Sequence, residues 1–271
     1  METQYLFLIP LTPKEYLTEN RKKLTKIALQ SLIDQTYPHW KAILIGEKCE
    51  SNPSDDRFIY IEVEGKKEEK LQFATDYIIE SVLKVDYIIR LDDDDLFSTT
   101  ILKSLGQPDA DVIVDKHHYF YNPLDNRVAK KVCYWFPNTC IIKINIALKF
   151  WGSFPSGDFI LHRENARLIE NEHNKFHEYF RNSEKIIFAD KNHPIYLRVL
   201  NPDSISAHDS QFNDYLDGFG VWTKDIPNGF ETNALKVSDF VKHHQSIFLR
   251  VKNRIWNIIA LRNYNKVVLN K

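Results

Sequence analysis

The stretch "YIIRLDDDDLFSTT" (87–100) joins an apolar strand to four consecutive aspartates, Asp92 to Asp95. Adjacent carboxylates repel one another, so water or a cation must offset their charge. In open α/β sheets, ligands bind beyond the carboxyl ends of the strands, which is where these aspartates lie. Because side chains alternate along an extended chain, Asp92 and Asp94 are expected to point the same way. Two carboxylates on one side, with waters and phosphate oxygens, form the all-oxygen environment that Mg²⁺ or Mn²⁺ prefers.

Alternative roles for the acidic stretch fit less well. One is a solvated turn in which Asp95 or Ser98 caps the next helix, although a cap needs one carboxylate rather than four. A calcium loop starting at Asp92 would have Phe97 instead of glycine at its sixth position and Lys103 instead of glutamate at its twelfth. A nucleotidyltransferase with paired aspartates stays open.

On both sides of this stretch, apolar runs alternate with helical patterns. The helical patterns lie at 18–35 and after "EGKKEEK", and the apolar runs lie at 5–11, 40–47, 58–63, 85–91 and 111–115. Strands that are apolar on both faces and alternate with helices predict an open, mostly parallel α/β sheet flanked by helices. Farther along, "HHYFYNPLDNRVAKKVCYWF" (117–136) predicts an antiparallel hairpin added to the sheet, with its turn at 122–126. A helix at 158–172 and strands at 186–189 and 194–200 follow.

Composition limits the classes of function. The 271 residues are 43% hydrophobic and 27% charged, which suits one globular domain. We predict a single domain in three parts, 1–115, 116–238 and 239–271. The formal net charge of −1 gives no reason to expect nucleic acid as a partner. With 8 glycines and no glycine-rich phosphate loop, a metal ion and basic side chains would have to neutralise any bound phosphates.

The two ends of the sequence bear on localisation. Met1 begins a polar segment without a signal-peptide core, and no apolar run approaches the roughly 20 residues that span a bilayer, which predicts a cytoplasmic protein. After Asp239 no acidic residue appears, and apolar residues recur at helical spacing, so 239–271 is expected to form a basic amphipathic helix. This helix either contacts the inner face of an anionic membrane through 241–271 or docks on the domain.

Three segments in series carry a resemblance: "LIPLTP" (8–13), "ALQSLIDQTYPHWKAILIGE" (28–47) and "DYIIRLDDDDLF" (86–97). Together they resemble the front half of family 2 glycosyltransferases of the GT-A fold, over roughly residues 5–105. The "R-L-D-D-D-D" form also resembles a bacterial group of rhamnosyltransferases. The resemblance implies a Mn²⁺- or Mg²⁺-dependent hexosyl- or rhamnosyltransferase. Such an enzyme would use a UDP- or dTDP-sugar and a saccharide or lipid-linked acceptor, with inversion, in surface polysaccharide or glycolipid synthesis.

The resemblance also implies roles for individual residues. Asp92 and Asp94 occupy the D-x-D positions, with Asp94 as the direct metal ligand and Asp92 near the ribose or the metal's waters. His208 lies where a late histidine completes the metal shell. Asp158, which follows a glycine and opens a helix, is the candidate catalytic base or else a helix cap. The donor-binding candidates are Pro10, Leu11, Thr12, Glu47, Lys70, Arg90, Asp92 and Asp93.

Some features leave the donor and the activity open. Glu47 stands where the family usually has an aspartate that accepts a hydrogen bond from the base, and Gly46 replaces the aspartate normally before it. An aromatic wall for sugar stacking, or else ordinary core, is expected from Trp135, Phe136, Trp151 and Phe154. Two other functions remain alternatives: a nucleotidyltransferase on a related sheet, and a catalytically silent module that binds carbohydrate or a partner.

Overall fold

The computed structural model describes residues 2–47, 53–81, 83–132, 136–151, 180–181, 183–200 and 221–244. In this part of the chain the strands are β1 (Tyr5–Pro10), β2 (Trp40–Ile45), β3 (Phe58–Ile61), β4 (Tyr87–Arg90), β5 (Leu96–Phe97), β6 (Val112–Val114), β7 (His117–Asn122), β8 (Arg127–Val132), β9 (Cys140–Lys143), β10 (Ile186–Phe188), β11 (Tyr196–Val199) and β12 (Trp222–Thr223). The helices are α1 (Glu19–Ile33), α2 (Lys67–Glu80), α3 (Ile101–Leu105), α4 (Ile144–Trp151) and α5 (Glu231–His244), with 3₁₀ turns at Lys14–Tyr16 and Pro137–Thr139.

The larger of the two sheets has seven strands in the order β10-β6-β9-β4-β1-β2-β3. The pairs β1–β2, β1–β4, β2–β3 and β6–β10 are parallel, while β9 runs antiparallel to its neighbours β4 and β6. A mostly parallel sheet flanked by helices confirms the fold class predicted from the sequence. The strands β9 and β10 come from the second half of the chain and complete the sheet that the first half begins.

Residues of β1 alternate between two hydrophobic cores, one on each face of the large sheet. Tyr5, Phe7 and Ile9 pack in the core that contains residues of α1 and α3, whereas Leu6 and Leu8 pack in the core with residues of α2 and α4. Successive side chains of a strand point to opposite faces. A strand with helices on both sides therefore needs apolar residues at every position, which is the pattern that the sequence of β1 shows.

The hairpin of β7 and β8 belongs to a second sheet, so the prediction that it adds to the main sheet was wrong in its placement. This second sheet has the strand order β12-β8-β7-β11-β5. The pairing of His117 with Val132 and of Asn122 with Arg127 confirms the hairpin and its turn. The strand β11 lies parallel to β7 and antiparallel to β5, the two-residue strand that follows the aspartates. Because β11 pairs with both β5 and β7, the hairpin belongs to the same sheet as β5.

Two helices pack next to this second sheet. The side chain of Thr18 caps α1 by accepting a hydrogen bond from the N–H of Arg21 at 3.1 Å. The helix α5 begins before the predicted start at Asp239, and its apolar face shares a core with Leu24 of α1 and with β7 and β11. Residues 245–271 lie outside the described residues, so membrane contact through 241–271 stays a prediction.

Several other predictions have definite outcomes. The strands expected at 186–189 and 194–200 are present as β10 and β11. The helix expected at 158–172 lies outside the described residues, and the division into 1–115, 116–238 and 239–271 stays a prediction. The helix after the aspartates begins at Ile101 with Thr100 at its N-cap, so neither Asp95 nor Ser98 caps it. Within the described ranges, no helix has both the length and the apolar character that crossing a bilayer requires.

The core predicts how substitutions affect stability. Phe7 is fully buried and its ring makes edge contacts with Trp40 and Phe97. Replacing it with alanine should lower the free energy of unfolding by about 3–5 kcal/mol, because the substitution leaves a cavity. The matched control is Phe73→Ala, since Phe73 on α2 is 54% exposed and the same change there should cost less than about 1 kcal/mol. Urea denaturation measures both, and equal losses would contradict this description of the core.

Candidate functional site

A cleft of about 1050 Å³ opens at the carboxyl ends of β1, β2 and β4. The chain runs from β1 outward through β2 to β3 and then returns to β4 on the other side of β1. Open α/β sheets bind ligands at such a reversal, because the loops leaving the two strands diverge there. The lining of this cleft includes all four aspartates of the acidic stretch and the predicted residues Pro10, Leu11, Thr12, Glu47 and Lys70.

Asp93 joins the loops that follow β1 and β4. Its two carboxylate oxygens accept hydrogen bonds from the backbone N–H and the hydroxyl of Thr12, at 2.7 and 2.9 Å. Asp93 is 4% exposed, and burial raises its pKa although these hydrogen bonds and the nearby Arg21 lower it. The carboxylate therefore acts as a clamp across the point where the strand order reverses.

Asp92 is held by donors from three elements. Lys67 of α2 and Arg90 at the end of β4 both donate to its Oδ1 atom at 2.9 Å, and Asn138 donates to its Oδ2 atom at 2.6 Å. Burial opposes ionisation of Asp92, but the positive charges of Arg90 and Lys67 outweigh it and hold the pKa well below its ordinary value. Arg90 has a fully buried side chain and also donates to Asn138, so it supports the cleft from beneath.

The last two aspartates differ in what they contact. The side chain of Asp94 is 14% exposed, and its Oδ2 atom lies 3.2 Å from the guanidinium of Arg21. Burial, opposed by the charge of Arg21, raises the pKa of Asp94 to about 6. Asp95 accepts hydrogen bonds from the hydroxyl of Tyr196 and from the backbone N–H of Val199. Burial and the neighbouring Asp94 raise the pKa of Asp95 well above its ordinary value.

Gly46, which directly follows β2, packs against Leu11 and against Lys70 of α2, two residues that line the cleft. Gly46 has φ +146°, and a Cβ there would lie 3.0 Å from the Cβ of Leu11 and 3.3 Å from Nζ of Lys70. Both the backbone conformation and the close approach favour glycine at this position. Lys70 is buried, donates to the carbonyl of Leu11 at 2.9 Å, and has a pKa lowered by burial.

Glu47 faces the cleft but is already engaged in the structure. Its Oε2 atom accepts a hydrogen bond from the backbone N–H of Lys14 at 2.9 Å, and its Oε1 atom lies 3.3 Å from Nζ of the same lysine. The hydrogen bond from that N–H lowers the pKa of Glu47, so it is ionised near neutral pH. Its predicted role as a hydrogen-bond acceptor for a base stays a prediction.

Aromatic residues line another side of the cleft. The ring of His118 lies 5.2 Å from that of Phe136 and 5.5 Å from that of Tyr196, measured between centroids. Phe136 belongs to the predicted sugar-stacking wall. Trp135, Phe154 and the side chain of Trp151 lie outside the described residues, as do Asp158 and His208, so their predicted roles stay predictions.

Several residues of this cleft were not predicted from the sequence: Arg21, Lys67, Asn138, Tyr196 and Arg198. One of them had a signal. Arg21 lies three residues before Leu24 on the stripe of α1 that continues through Ala28 and Leu32, so a cation stood where an apolar residue was expected. Asn138 and Tyr196 reach the cleft only through the packing of distant segments and had no local signal.

The residues present fit a divalent cation on one carboxylate. Both oxygens of Asp92, Asp93 and Asp95 accept hydrogen bonds from the protein, whereas Asp94 lines the cleft with its Oδ2 atom paired with Arg21. The described residues contain no group of three or more His, Cys, Asp and Glu side chains that would hold a metal by themselves. Mg²⁺ is commonly bound by one or two carboxylates together with waters and substrate phosphates, rather than by an all-protein cage. Asp94 in an open cleft meets that requirement.

A second cleft of about 1040 Å³ lies at the opposite ends of the same strands. It is lined by residues that precede or begin β1, β2 and β4, among them Thr3, His39 and Asp86. None of the described site residues predicted from the sequence lies there. The carboxyl-end cleft is therefore the candidate functional site.

Comparison with known proteins gives a likeness of fold. No family model and no curated protein matches the sequence. Among solved structures, the chain is similar to S. aureus TarS 1–349 in complex with UDP-GlcNAc, with 14% identity over 97% of this chain and 80% of that chain and a TM-score of 0.50. The complex of the same protein with UDP gives 14% identity, 89% and 72% coverage and a TM-score of 0.49. Francisella tularensis 2-C-methyl-D-erythritol 4-phosphate cytidylyltransferase is 10% identical over 71% of this chain and 94% of that chain, with a TM-score of 0.45. TarS is a GT-A-type glycosyltransferase, and the likeness shows that fold.

The raised pKa of Asp94 predicts a pH-dependent stability. Its folded-state pKa of about 6 exceeds the ordinary value of 3.8, so Asp94 favours folding at low pH and opposes it as the pH rises through 6. Asp94→Asn should therefore raise the free energy of unfolding by about 1–3 kcal/mol at pH 8, and the gain should vanish near pH 4. Urea denaturation at both pH values measures this difference.

The control for that experiment is Asp109→Asn. Asp109 is exposed and its pKa is lowered by a hydrogen bond from Lys185, so removing its charge should not stabilise the protein at pH 8. A loss of stability in Asp94→Asn at pH 8 would contradict the prediction that the buried, ionised carboxylate of Asp94 destabilises the folded protein.

Proposed function

We propose that this protein is a glycosyltransferase that moves a sugar from a nucleoside-diphosphate donor to an acceptor hydroxyl. The observation that carries the proposal is the convergence of acidic and basic side chains in one cleft at the strand reversal of a GT-A-like fold. A fold does not by itself determine which reaction a protein catalyses, so the proposal depends on the side chains in that cleft.

The donor would lie along the carboxyl ends of β1 and β2. Leu11, Glu47 and Lys70 line this part of the cleft, and Gly46 packs behind Leu11 and Lys70. Glu47 supplies a hydrogen-bond acceptor and Lys70 a donor at this side of the cleft. A base that presents both a donor and an acceptor matches this pair, and we propose uracil or thymine, hence a UDP- or dTDP-sugar.

The diphosphate would lie toward the acidic stretch. Its negative charge grows as the bond to the sugar breaks, so nearby positive charge stabilises the leaving group. Lys67 and Arg198 line this part of the cleft, and Lys67 is 35% exposed while paired with Asp92. We propose Asp94 as the ligand that would hold Mn²⁺ or Mg²⁺ here, with His208 completing its shell. A divalent ion supplies Lewis-acid stabilisation of the leaving diphosphate when bound.

The acceptor side of the proposal concerns residues outside the described part of the chain. We propose Asp158 as the base that removes the proton from the acceptor hydroxyl, with attack on the face opposite the leaving group and hence inversion. On the aromatic side of the cleft, Phe136 offers a flat surface for a saccharide. We propose a saccharide or lipid-linked saccharide as acceptor, and the basic segment 241–271 as a contact to the membrane that would carry it.

A ligand screen tests the donor. UDP, dTDP, GDP, CDP and ADP, each with and without Mn²⁺, should be compared by thermal unfolding. A ligand at 100 times its Kd stabilises the native state by about 2.7 kcal/mol, so the matching diphosphate should raise Tm by several degrees. Asp94→Asn should abolish the Mn²⁺-dependent part of the rise, whereas Asp109→Asn should keep it. If no diphosphate shifts Tm in the presence of Mn²⁺, the proposal fails.

Product analysis separates the three candidate functions. A glycosyltransferase releases the nucleoside diphosphate from a nucleotide sugar, and Asp94→Asn should lower kcat/KM at least about 100-fold. A nucleotidyltransferase would instead consume a nucleoside triphosphate and a sugar phosphate and release inorganic diphosphate. A silent module would bind carbohydrate or a partner without turnover, and Asp94→Asn would leave that binding largely intact. Release of inorganic diphosphate, or binding without turnover, would overturn the proposal.

A further inference from the structure

Arg21 places a buried guanidinium beside the acidic stretch. Its side chain is 6% exposed. Its Nη2 atom donates to Oγ1 of Thr12 at 2.8 Å and lies 3.2 Å from Oδ2 of Asp94 and 3.7 Å from Oδ1 of Asp93. Ion pairs that are shielded from water are screened little by salt. Asp94 therefore already has a compensating positive charge from the chain itself before any ligand enters the cleft.

The same carboxylate is also able to bind a cation. Both oxygens of Asp92 and both of Asp93 accept hydrogen bonds from the protein, and Asp93 and Asp95 are each 4% exposed. Asp94 lines the open cleft and has Arg21 as its ion-pair partner. A divalent cation and the guanidinium would thus bind the same group from different sides.

Two cations that share one carboxylate repel each other, and the repulsion is strong where water is largely excluded. Arg21 therefore opposes cation binding to the free protein. A diphosphate in the cleft adds negative charge on the open side of Asp94 and offsets this repulsion. We propose that Arg21 makes cation binding at Asp94 conditional on a diphosphate, so that the cation and the donor enter the cleft together. This inference rests on the proposed function and identifies the residue that couples its two ligands.

Coupling of this kind is reciprocal and measurable. If a diphosphate raises the affinity for Mn²⁺ by some factor, Mn²⁺ raises the affinity for the diphosphate by the same factor. Removing the charge of Arg21 should strengthen Mn²⁺ binding to the free protein and shrink that factor. If Arg21 instead only holds Asp94 in place, the opposite result is expected. Loss of Arg21 would then leave the Asp94 side chain less well oriented and weaken Mn²⁺ binding.

The test is a titration of the full chain with MnCl₂ at pH 8, without nucleotide, followed by electron paramagnetic resonance of free Mn²⁺. Arg21→Gln should lower the Kd for Mn²⁺ at least about 10-fold, or 1.4 kcal/mol. Arg21→Lys keeps the charge and should stay within about threefold of the wild type. Arg57→Gln is the matched control, since Arg57 pairs with Asp55 outside the cleft and its loss should leave Mn²⁺ binding unchanged.

The titration is then repeated with the nucleoside diphosphate that raises Tm most. The wild-type Kd for Mn²⁺ should fall at least about 10-fold when the diphosphate is present, and this ratio should be clearly smaller in Arg21→Gln. Equal or weaker Mn²⁺ binding by folded Arg21→Gln would overturn the inference. So would an Arg21→Lys variant that binds Mn²⁺ as tightly as Arg21→Gln, because charge would then not be the cause.

Two further outcomes are informative. If Arg21→Gln does not unfold cooperatively, the wild type decides, since a Kd for Mn²⁺ that is the same with and without the diphosphate overturns the inference. If no diphosphate shifts Tm, the proposed function fails, while the titration without nucleotide still tests Arg21 alone. Failure of the proposed function and failure of the inference therefore give different results.

Discussion

Charge compensation at the end of β4 is the constraint around which the cleft is built. Buried carboxylates are costly unless each is paired or hydrogen-bonded. Here Asp92 is bonded from α2, from β4 and from a 3₁₀ turn, Asp93 from the loop after β1, Asp94 from α1 and Asp95 from β11. The sequence left water or a cation as the compensating species. In the described part of the chain, basic side chains and N–H groups already compensate much of the charge of the aspartates.

The first half of the fold was predictable because its signals are local. The strands β1, β2 and β4 are continuous apolar runs, and α1 begins at a threonine cap and shows a clear apolar stripe, so element type and order followed directly. The strand β9 was missed because its four residues, Cys140–Lys143, form no pattern that separates them from the helix α4 directly after them. The second sheet was missed because β5 has two residues and pairs with β11, which is distant along the chain.

The candidate site likewise contains residues that were predictable from the sequence and residues that were not. The place of the aspartates was predictable because they directly follow a strand and parallel strands bring their carboxyl ends together. Thr12, Glu47 and Arg90 were predicted from the family resemblance. Arg21, Lys67 and Asn138 were missed, because a basic residue on a helix or an asparagine in a turn becomes part of a site only through tertiary packing. An arginine on a buried helical stripe is the type of signal that would have found one of them.

The absence of a side chain at position 46 limits how this cleft can diversify. Every residue other than glycine would be strained at φ +146° and crowded by Leu11, so this position is closed to substitution. Under the proposed function, a change of donor would therefore have to come through the neighbouring cleft residues Lys70 and Glu47. These two charged residues belong to separate elements, so the exchange would involve two distant parts of the sequence and not the end of the second strand.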